Sequence, residues 1–580
     1  LDILGISFGV DTSACLLRDG QLIGAALEER FSRIKHDSSW PSQAISWCLQ
    51  QGNVRLEQID HVAFFWNPAQ ELDFPHPGRS HRYRHHGDYL HMVPSWLLGG
   101  LSSGTTRLRS PSMTQSIELE GRDKPLQIHY IDHHRCHAAV SFFPSPHDEA
   151  AVLTIDGYGE RSATTLGKWT MGGDQSALYE ALEEIEYPNS LGSFYAAITS
   201  WLGFQPNSGE GKVMGLAPYG DDSLVEQFRC IAGVGGDSDK PYSLDLSWFD
   251  FYLDRPSRVS DRFIAAFGPP AEPGCREHNA TQKAVAFATQ VALEDGLLAL
   301  AGRLHQLSGC EHLVMAGGVA MNSAANGRLE REGPFRSLWV QPSSGDGGTA
   351  VGAALWTWHM LLGGNQRHHW KNDRHGPGFS ADDCRAALKK GGWDWSEPQD
   401  LCRETARALA DGELVGWFQG RAELGARALG GRSILADPRR VENKDLLNSR
   451  VKFREGFRPF APSALQDRAG EFFELPEGCT VPWMQKVHPV RSDARDQLAG
   501  VTHVDGSARL QTVSRDAAPL YYELIAAFGE ITGVPVLLNT SFNIKGEPMV
   551  LSPEDAIRCW ASTGLHRLVL GPCVVRKGTT

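Results

Sequence analysis

The chain has 580 residues, 41% hydrophobic and 22% charged, with a formal net charge of −13. Its length exceeds one ordinary core and implies roughly two to four domains. The acidic balance excludes a broad nucleic-acid or anionic-membrane surface, and no apolar run approaches membrane-spanning length. The N-terminus lacks a secretory leader pattern, and the 11 cysteines contain no Cys-x-x-Cys, which predicts reduced thiols in a cytoplasmic protein.

Leu1 to Phe8 reads as a strand, followed by Gly9-Val-Asp-Thr-Ser13. Ala14–Leu17 and Gln21–Leu27 flank Arg18-Asp-Gly20, a strong hairpin signal. His76, His81, His85, His86 and His91 fall in a Pro/Gly/Arg-rich stretch without periodicity, which predicts a mobile loop rather than a second metal site.

His133 and His137 are spaced four apart, so on a helix they share one face. Asp156 adds a hard oxygen, a mixed donor set that suits iron, manganese or zinc. Spacing alone decides little, because 22 histidines in 580 residues give roughly 0.8 such pairs by chance. His81/His85 and His129/His133 share the spacing. Context comes from Ala151–Ile155, Asp156-Gly-Tyr-Gly159 and Ser162–Lys168. These repeat the opening order of strand, Asp turn and hairpin partner, which predicts a duplicated fold. In actin-like ATPases and sugar kinases two such turns face each other around phosphates and a metal.

The apolar stripe from Ala284 to Leu307 predicts a core helix. His312–Asn322 reads as a buried strand, a glycine turn and a helix start, where free N–H groups favour an anion or nucleotide. Ser343-Ser-Gly-Asp-Gly-Gly348 opens an apolar helix from Thr349 to about Leu362, with Asp346 projecting as a further metal ligand. Residues 363–378 read as a linker. From Gly416 to Pro462 there are ten Arg/Lys against five Asp/Glu, a local +5 (10 − 5) in an acidic chain. Such arginine forks among Gly, Trp and Pro predict a site for phosphate or carboxylate.

Several strings carry a family resemblance: Asp11-Thr-Ser-Ala-Cys-Leu-Leu17, Glu28-Glu-Arg-Phe-Ser-Arg-Ile-Lys35, His133-His-Arg-Cys-His-Ala138, Thr154-Ile-Asp-Gly157, Gly209–Gly220, Ala316-Gly-Gly-Val319 and Gly345-Asp-Gly-Gly348. With them the N-terminal half resembles the carbamoyltransferases that include the nodulation and cephamycin enzymes (NodU/CmcH). More remotely it is similar to the subunit that places threonylcarbamoyl on tRNA. The resemblance implies that His133, His137, Asp156 and Asp346 bind a metal, Fe(II) foremost or another divalent ion. It implies that Gly317, Gly318 and Asn322 contact adenosine, and that Lys212, in the Gly209–Gly220 string, serves the nucleotide. The family usually carries His immediately before the N-terminal Asp, where this chain has Val10. Asp11 is then the nearest candidate base, unless it only positions phosphate or metal.

The second half resembles the YrdC-like domain of the same enzymes, through the arginine-rich run, Asp505–Thr512 and Leu538–Pro548. It implies that Arg427, Lys452, Arg458 and Arg509 bind carbamoyl phosphate and nucleotide phosphates, with Asn539, Ser541 and Asn543 lining the pocket. Lys452 and Arg458 would then share catalysis with Asp11, His133 and His137.

The expected fold class is α/β: a duplicated actin-like or sugar-kinase-type domain over 1–362, a linker over 363–378 and a YrdC-like α/β domain over 379–580. The implied function is an ATP-dependent O-carbamoyltransferase working through carbamoyladenylate on a hydroxyl of a small-molecule natural product, such as an antibiotic. Its cofactors would be the metal and Mg-ATP, with carbamoyl phosphate as co-substrate. No nucleic acid or membrane partner is expected, and a homodimer is left open. Rival readings are a threonylcarbamoyl-type tRNA-modifying enzyme and an actin-like ATPase without carbamoyl transfer. A hydrogenase-maturation enzyme would carry an acylphosphatase domain and paired cysteines, which this chain lacks.

Overall fold

A computed structural model describes residues 1–68, 112–117, 124–235, 240–253, 255–476 and 478–577; the histidine stretch from 76 to 91 lies outside them. The chain divides into two compact units, Leu1–Glu28 with Ser38–His369, and Glu29–Asp37 with Trp370–Thr580.

The first unit repeats one sheet pattern. Strands β1 (Asp2–Ser7), β2 (Ser13–Arg18) and β3 (Gln21–Leu27) form an antiparallel meander. Asp19 and Gly20 turn the β2–β3 hairpin with φ of 48° and 82°, the left-handed values its sequence signal requires. β4 (His61–Phe64) and β6 (Leu126–Ile131) then add parallel to β1, and β5 (Ser112–Ile117) closes the edge, giving the order β3-β2-β1-β4-β6-β5. The second sheet runs β9-β8-β7-β10-β11, from β7 (Glu149–Ile155), β8 (Ser162–Met171), β9 (Ala177–Glu186), β10 (His312–Ala316) and β11 (Ser337–Val340). Its meander is again antiparallel and its added strands parallel. Five strands of the first sheet, all but the edge strand β5, match the second sheet in order and direction, so the duplicated α/β fold read from two Asp turns is present.

Each half sends a helix back after its last parallel strand. Helix His133–Phe142 follows β6, and helix Thr349–Trp356 follows β11. They pack at very short range: a Cβ on Gly352 would lie 2.0 Å from the Cys136 carbonyl oxygen, and one on Gly5 would lie 2.1 Å from that of Ala350. Glycine is required at both positions for this approach. The 29-residue helix Ala280–Ser308 is the expected core helix. By length and composition it is apolar enough to cross a membrane, contrary to the sequence expectation, but 67% of its most apolar window is buried inside the unit.

The second unit is built on a seven-stranded mixed sheet, ordered β17-β14-β18-β13-β12-β19-β20. Its strands are β12 (Val415–Phe418), β13 (Arg432–Ala436), β14 (Ala461–Leu465), β17 (Gln511–Val513), β18 (Val536–Ser541), β19 (Arg567–Leu570) and β20 (Cys573–Arg576). Alternate side chains feed two cores. Trp417, Leu435, Leu537 and Val569 meet helices Leu401–Ala410 and Pro519–Thr532 on one face. Phe418, Ile434, Leu538 and Leu568 meet helices Ala381–Lys390 and Pro553–Ala561 on the other. Both faces being covered, the strands read as continuous apolar runs. A separate ribbon pairs β15 (Val487–Pro489) with β16 (Ser507–Arg509).

Candidate active site

In the first unit the two halves bring His133, His137, Asp156 and Asp346 together, with ligand atoms all within 4.8 Å of one another. His133 and His137 lie one turn apart on the helix after β6. Asp156 opens the turn after β7, and Asp346 opens the short turn before helix Thr349–Trp356. The two Nε2 atoms stand 3.1 Å apart. Asp156 Oδ2 is 3.1 Å from His137 Nε2 and 3.5 Å from His133 Nε2; Asp346 Oδ1 is 3.7 and 3.6 Å away. The Asp346 backbone is itself held: Ser7 Oγ donates to its carbonyl at 3.2 Å and Thr349 Oγ1 at 2.6 Å.

Burial pulls the His137 imidazolium down, but hydrogen bonds to Asp156 and Asp346 outweigh it and push the pKa up to about 9. Burial would raise Asp156, yet the two imidazoles hold it well below the ordinary carboxylate range. Negative potential is thus focused where four donor atoms converge. Two imidazoles and two carboxylates fit a divalent first-row cation.

The Gly317–Gly318 turn leans on the same centre. Gly317 has φ 102°, and a Cβ there would lie 2.1 Å from the Ile155 carbonyl oxygen; one on Gly318 would lie 3.0 Å from Asp156 Oδ1. Asn322 caps helix Ser323–Glu332, and its amide is exchanged with that of Gln290 at 3.0 and 3.1 Å. Lys212 lies over the Phe204 ring at 5.1 Å, on helix Glu210–Leu216. That helix reaches Ser323 through Met214, 3.6 Å from Ser323 Oγ. Asp11 takes a left-handed φ of 53° in the β1–β2 turn, and Val10 beside it is 39% exposed.

In the second unit Lys452 is the hub. Its Nζ donates to the Ser541 carbonyl, to Ser541 Oγ at 3.2 Å, and to the Asn543 Oδ1 and carbonyl oxygens at 2.7 and 3.1 Å. Burial holds its pKa well below the ordinary lysine range, and Arg454 and Arg458 lower it further. Burial and Arg458 bring Arg427 down to about 10; burial with Arg427, Arg454 and Arg458 holds Arg509 well down. Among the described residues neither Arg427 nor Arg509 has an ion-pair or side-chain hydrogen-bond partner, and Arg509 Nε is buried. Among the described residues Arg458 pairs only with Glu455, at 3.8 Å, and it stays 34% exposed. Asn539 donates to the Ala428 carbonyl, Ser463 and Gln511, and its Oδ1 is buried without a partner among the described residues. This is a cation cluster short of negative charge, which suits a phosphate-rich ligand.

Sequence reasoning missed Arg454, which belongs to the cluster and lies over the Phe460 ring at 4.2 Å. Between it and Lys452, Phe453 is forced to φ 46° after a π-helical turn, strain of a kind that gathers at functional sites. Other arginines of the run serve structure. Arg421 donates to the Gly376 and His375 carbonyls, and Arg432 to those of Gln419, Gly420, Gly431 and Pro377. Arg439 and Arg440 pair with Asp437.

One chain thus carries a duplicated α/β unit with four convergent donor side chains and an α/β unit with a buried cluster of cations. Residues 2–355 match the family described as Carbamoyltransferase N-terminus, and residues 406–577 match Carbamoyltransferase C-terminus. The chain belongs to the carbamoyltransferase family. Protein sll1178 of Synechocystis is 38% identical, covering 99% of this chain and 96% of its own. Nodulation protein NolNO of Sinorhizobium fredii is 36% identical over 99% of this chain and 80% of its own. Nodulation protein NolO of Bradyrhizobium diazoefficiens is 38% identical over 77% of this chain. Among solved structures, HypF of T. kodakarensis aligns with 62% of this chain at 12% identity and a TM-score of 0.31, too low to carry an argument.

Proposed function

We propose that this carbamoyltransferase is ATP-dependent and carbamoylates a hydroxyl of a small-molecule natural product in the cytoplasm, by way of carbamoyladenylate. The carrying observation is a pair of guanidiniums, Arg427 and Arg509, without partners among the described residues and linked through Arg454 and Arg458 to the buried Lys452. Charges held this way cost stability unless an anion meets them. Carbamoyl phosphate and the ATP triphosphate are such anions.

In the second unit carbamoyl phosphate is hydrolysed to carbamate and phosphate. A carbamate oxygen attacks the α-phosphorus of Mg-ATP and pyrophosphate departs, while Arg427, Lys452, Arg458 and Arg509 stabilise the charge on the transferring group. In the first unit the acceptor oxygen attacks the carbonyl carbon, the bond to AMP breaks, and the acceptor proton passes to a base. Val10 stands where the family usually has histidine, and Asp11 is the neighbouring carboxylate available for that proton. Gly317, Gly318, Asn322 and Lys212 would contact the nucleotide. Fe(II) or another divalent metal held by His133, His137, Asp156 and Asp346 would supply Lewis-acid polarisation.

Incubation with ATP and carbamoyl phosphate, without acceptor, should release pyrophosphate. ADP and phosphate as the products would favour an ATPase, and no reaction from folded protein would sink the adenylate route.

A further inference from the structure

Neither metal-facing histidine is oriented in the usual way. Metal-bound histidines generally donate their second ring N–H to a carboxylate or carbonyl. Here the Nδ1 atoms of His133 and His137 are buried, and among the described residues neither has a hydrogen-bond partner. The ring positions are then set by packing, His133 lying against Phe65 and Trp66, and by the backbone of helix His133–Phe142.

That helix starts at a point where its own cap is engaged elsewhere. Asp132, in the N-cap position, makes no capping bond to the helix. Its carboxylate instead accepts from Asn67 Nδ2 at 2.7 Å and pairs with Arg135 at 3.0 Å. The first helical N–H, that of His133, donates to Glu160, at 3.0 Å to Oε1 and 3.1 Å to Oε2. Glu160 Oε1 also accepts the Asn67 N–H at 2.7 Å. Glu160 is 4% exposed and stands four residues after Asp156, at the far side of the same turn. A Cβ on Gly159, just before it, would lie 3.4 Å from the His133 Cβ and 2.7 Å from the His134 ring, so turn and helix are in close contact. One carboxylate thus joins the helix bearing two ligands, the turn bearing the third and the segment leaving β4.

We propose that Glu160 is a positioning residue that holds His133 and His137 against Asp156 in the geometry that binds the metal. The inference rests on reading the four residues as a metal site. It extends that reading to a carboxylate outside the four-residue group.

The test is Co(II) titration of the full chain, following the visible d–d band and the dissociation constant. Wild type should bind one Co(II). Glu160→Ala should weaken binding by about 10- to 100-fold, the range typical of outer-shell partners. Glu160→Gln keeps one acceptor oxygen and should fall between, with an altered band. Glu28→Gln is the control for a merely structural carboxylate: Glu28 is also buried and caps helix Ser42–Gly52 by accepting from Gln43 and Ala44. It should leave band and affinity unchanged. No stoichiometric Co(II) binding by wild type would overturn the metal reading itself. Binding by wild type with unchanged affinity and band in Glu160→Gln would overturn the role of Glu160 alone, as would an equal effect of Glu28→Gln. If Glu160→Ala does not fold, the Gln variant decides.

Discussion

His133 and His137 present their Nε2 atoms to each other across 3.1 Å, with Asp156 Oδ2 within 3.5 Å of both. Two lone pairs cannot face each other at that distance unless a proton or a cation lies between them. The arrangement depends on the helix between the two sheets, and several consequences can be measured.

Gly352 is where that helix is most tightly confined, since a Cβ there would sit 2.0 Å from the carbonyl of Cys136, between the two histidines. Gly352→Ala should destabilise the protein by about 2 kcal/mol or more through overpacking. It should also weaken metal binding, because the strain is delivered to the ligand helix. Urea unfolding and a metal titration check both; a variant of wild-type stability would mean the helices separate freely.

Among the described residues Arg509 is a charge without a partner, so its value should appear only with ligand. Arg509→Met keeps the apolar stem and removes the charge. The ligand-free Tm should stay level or rise. The KM for carbamoyl phosphate in pyrophosphate release should rise at least roughly 10-fold, as expected for a lost bidentate anion contact. A lower ligand-free Tm with an intact KM would make Arg509 a scaffold residue.

Asp373 gives a pH dependence. Burial, with Glu423 nearby, pushes its carboxyl up to about 8, while the Gly425 N–H at 2.7 Å opposes this. The folded state therefore holds a proton that the unfolded chain releases near pH 4. Stability from this group is full below pH 4 and declines as pH rises towards 8, by up to about 1.4 kcal/mol per pH unit. Asp373→Asn should remove that slope. Urea unfolding from pH 5 to 8 should show the variant gaining on wild type as pH rises, and a constant difference would contradict the assignment.

Much of the first unit was legible because a duplicated sheet repeats its turn chemistry: an Asp turn and hairpin appear twice, and each reads locally. Histidine spacing was not enough by itself. His129 and His133 also stand four apart, but His129 lies on β6 and bonds to His61 at 2.9 Å, burial lowering its pKa to about 4. Glu160 was hidden because its work is done on backbone N–H groups, which leave no pattern in sequence. Local charge could not sort the arginine run either. Arg427, Lys452, Arg454 and Arg458 join the cluster, whereas Arg421 and Arg432 tie down carbonyls, a use of the same guanidinium that composition does not distinguish. Nor does sequence order show that residues 29–37 pack with the second unit, where Arg33 donates to the Pro548 and Met549 carbonyls at 2.9 and 2.6 Å.

In the proposed division of labour the cation cluster of the second unit would activate the carbamoyl group and the four-residue group of the first would transfer it. His137→Ala separates the two, because His137 lies in the first unit and the cation cluster in the second. The variant should lose metal and acceptor carbamoylation by more than roughly 100-fold, while pyrophosphate release without acceptor stays near wild type. An equal fall in both reactions, from folded protein, would contradict the account.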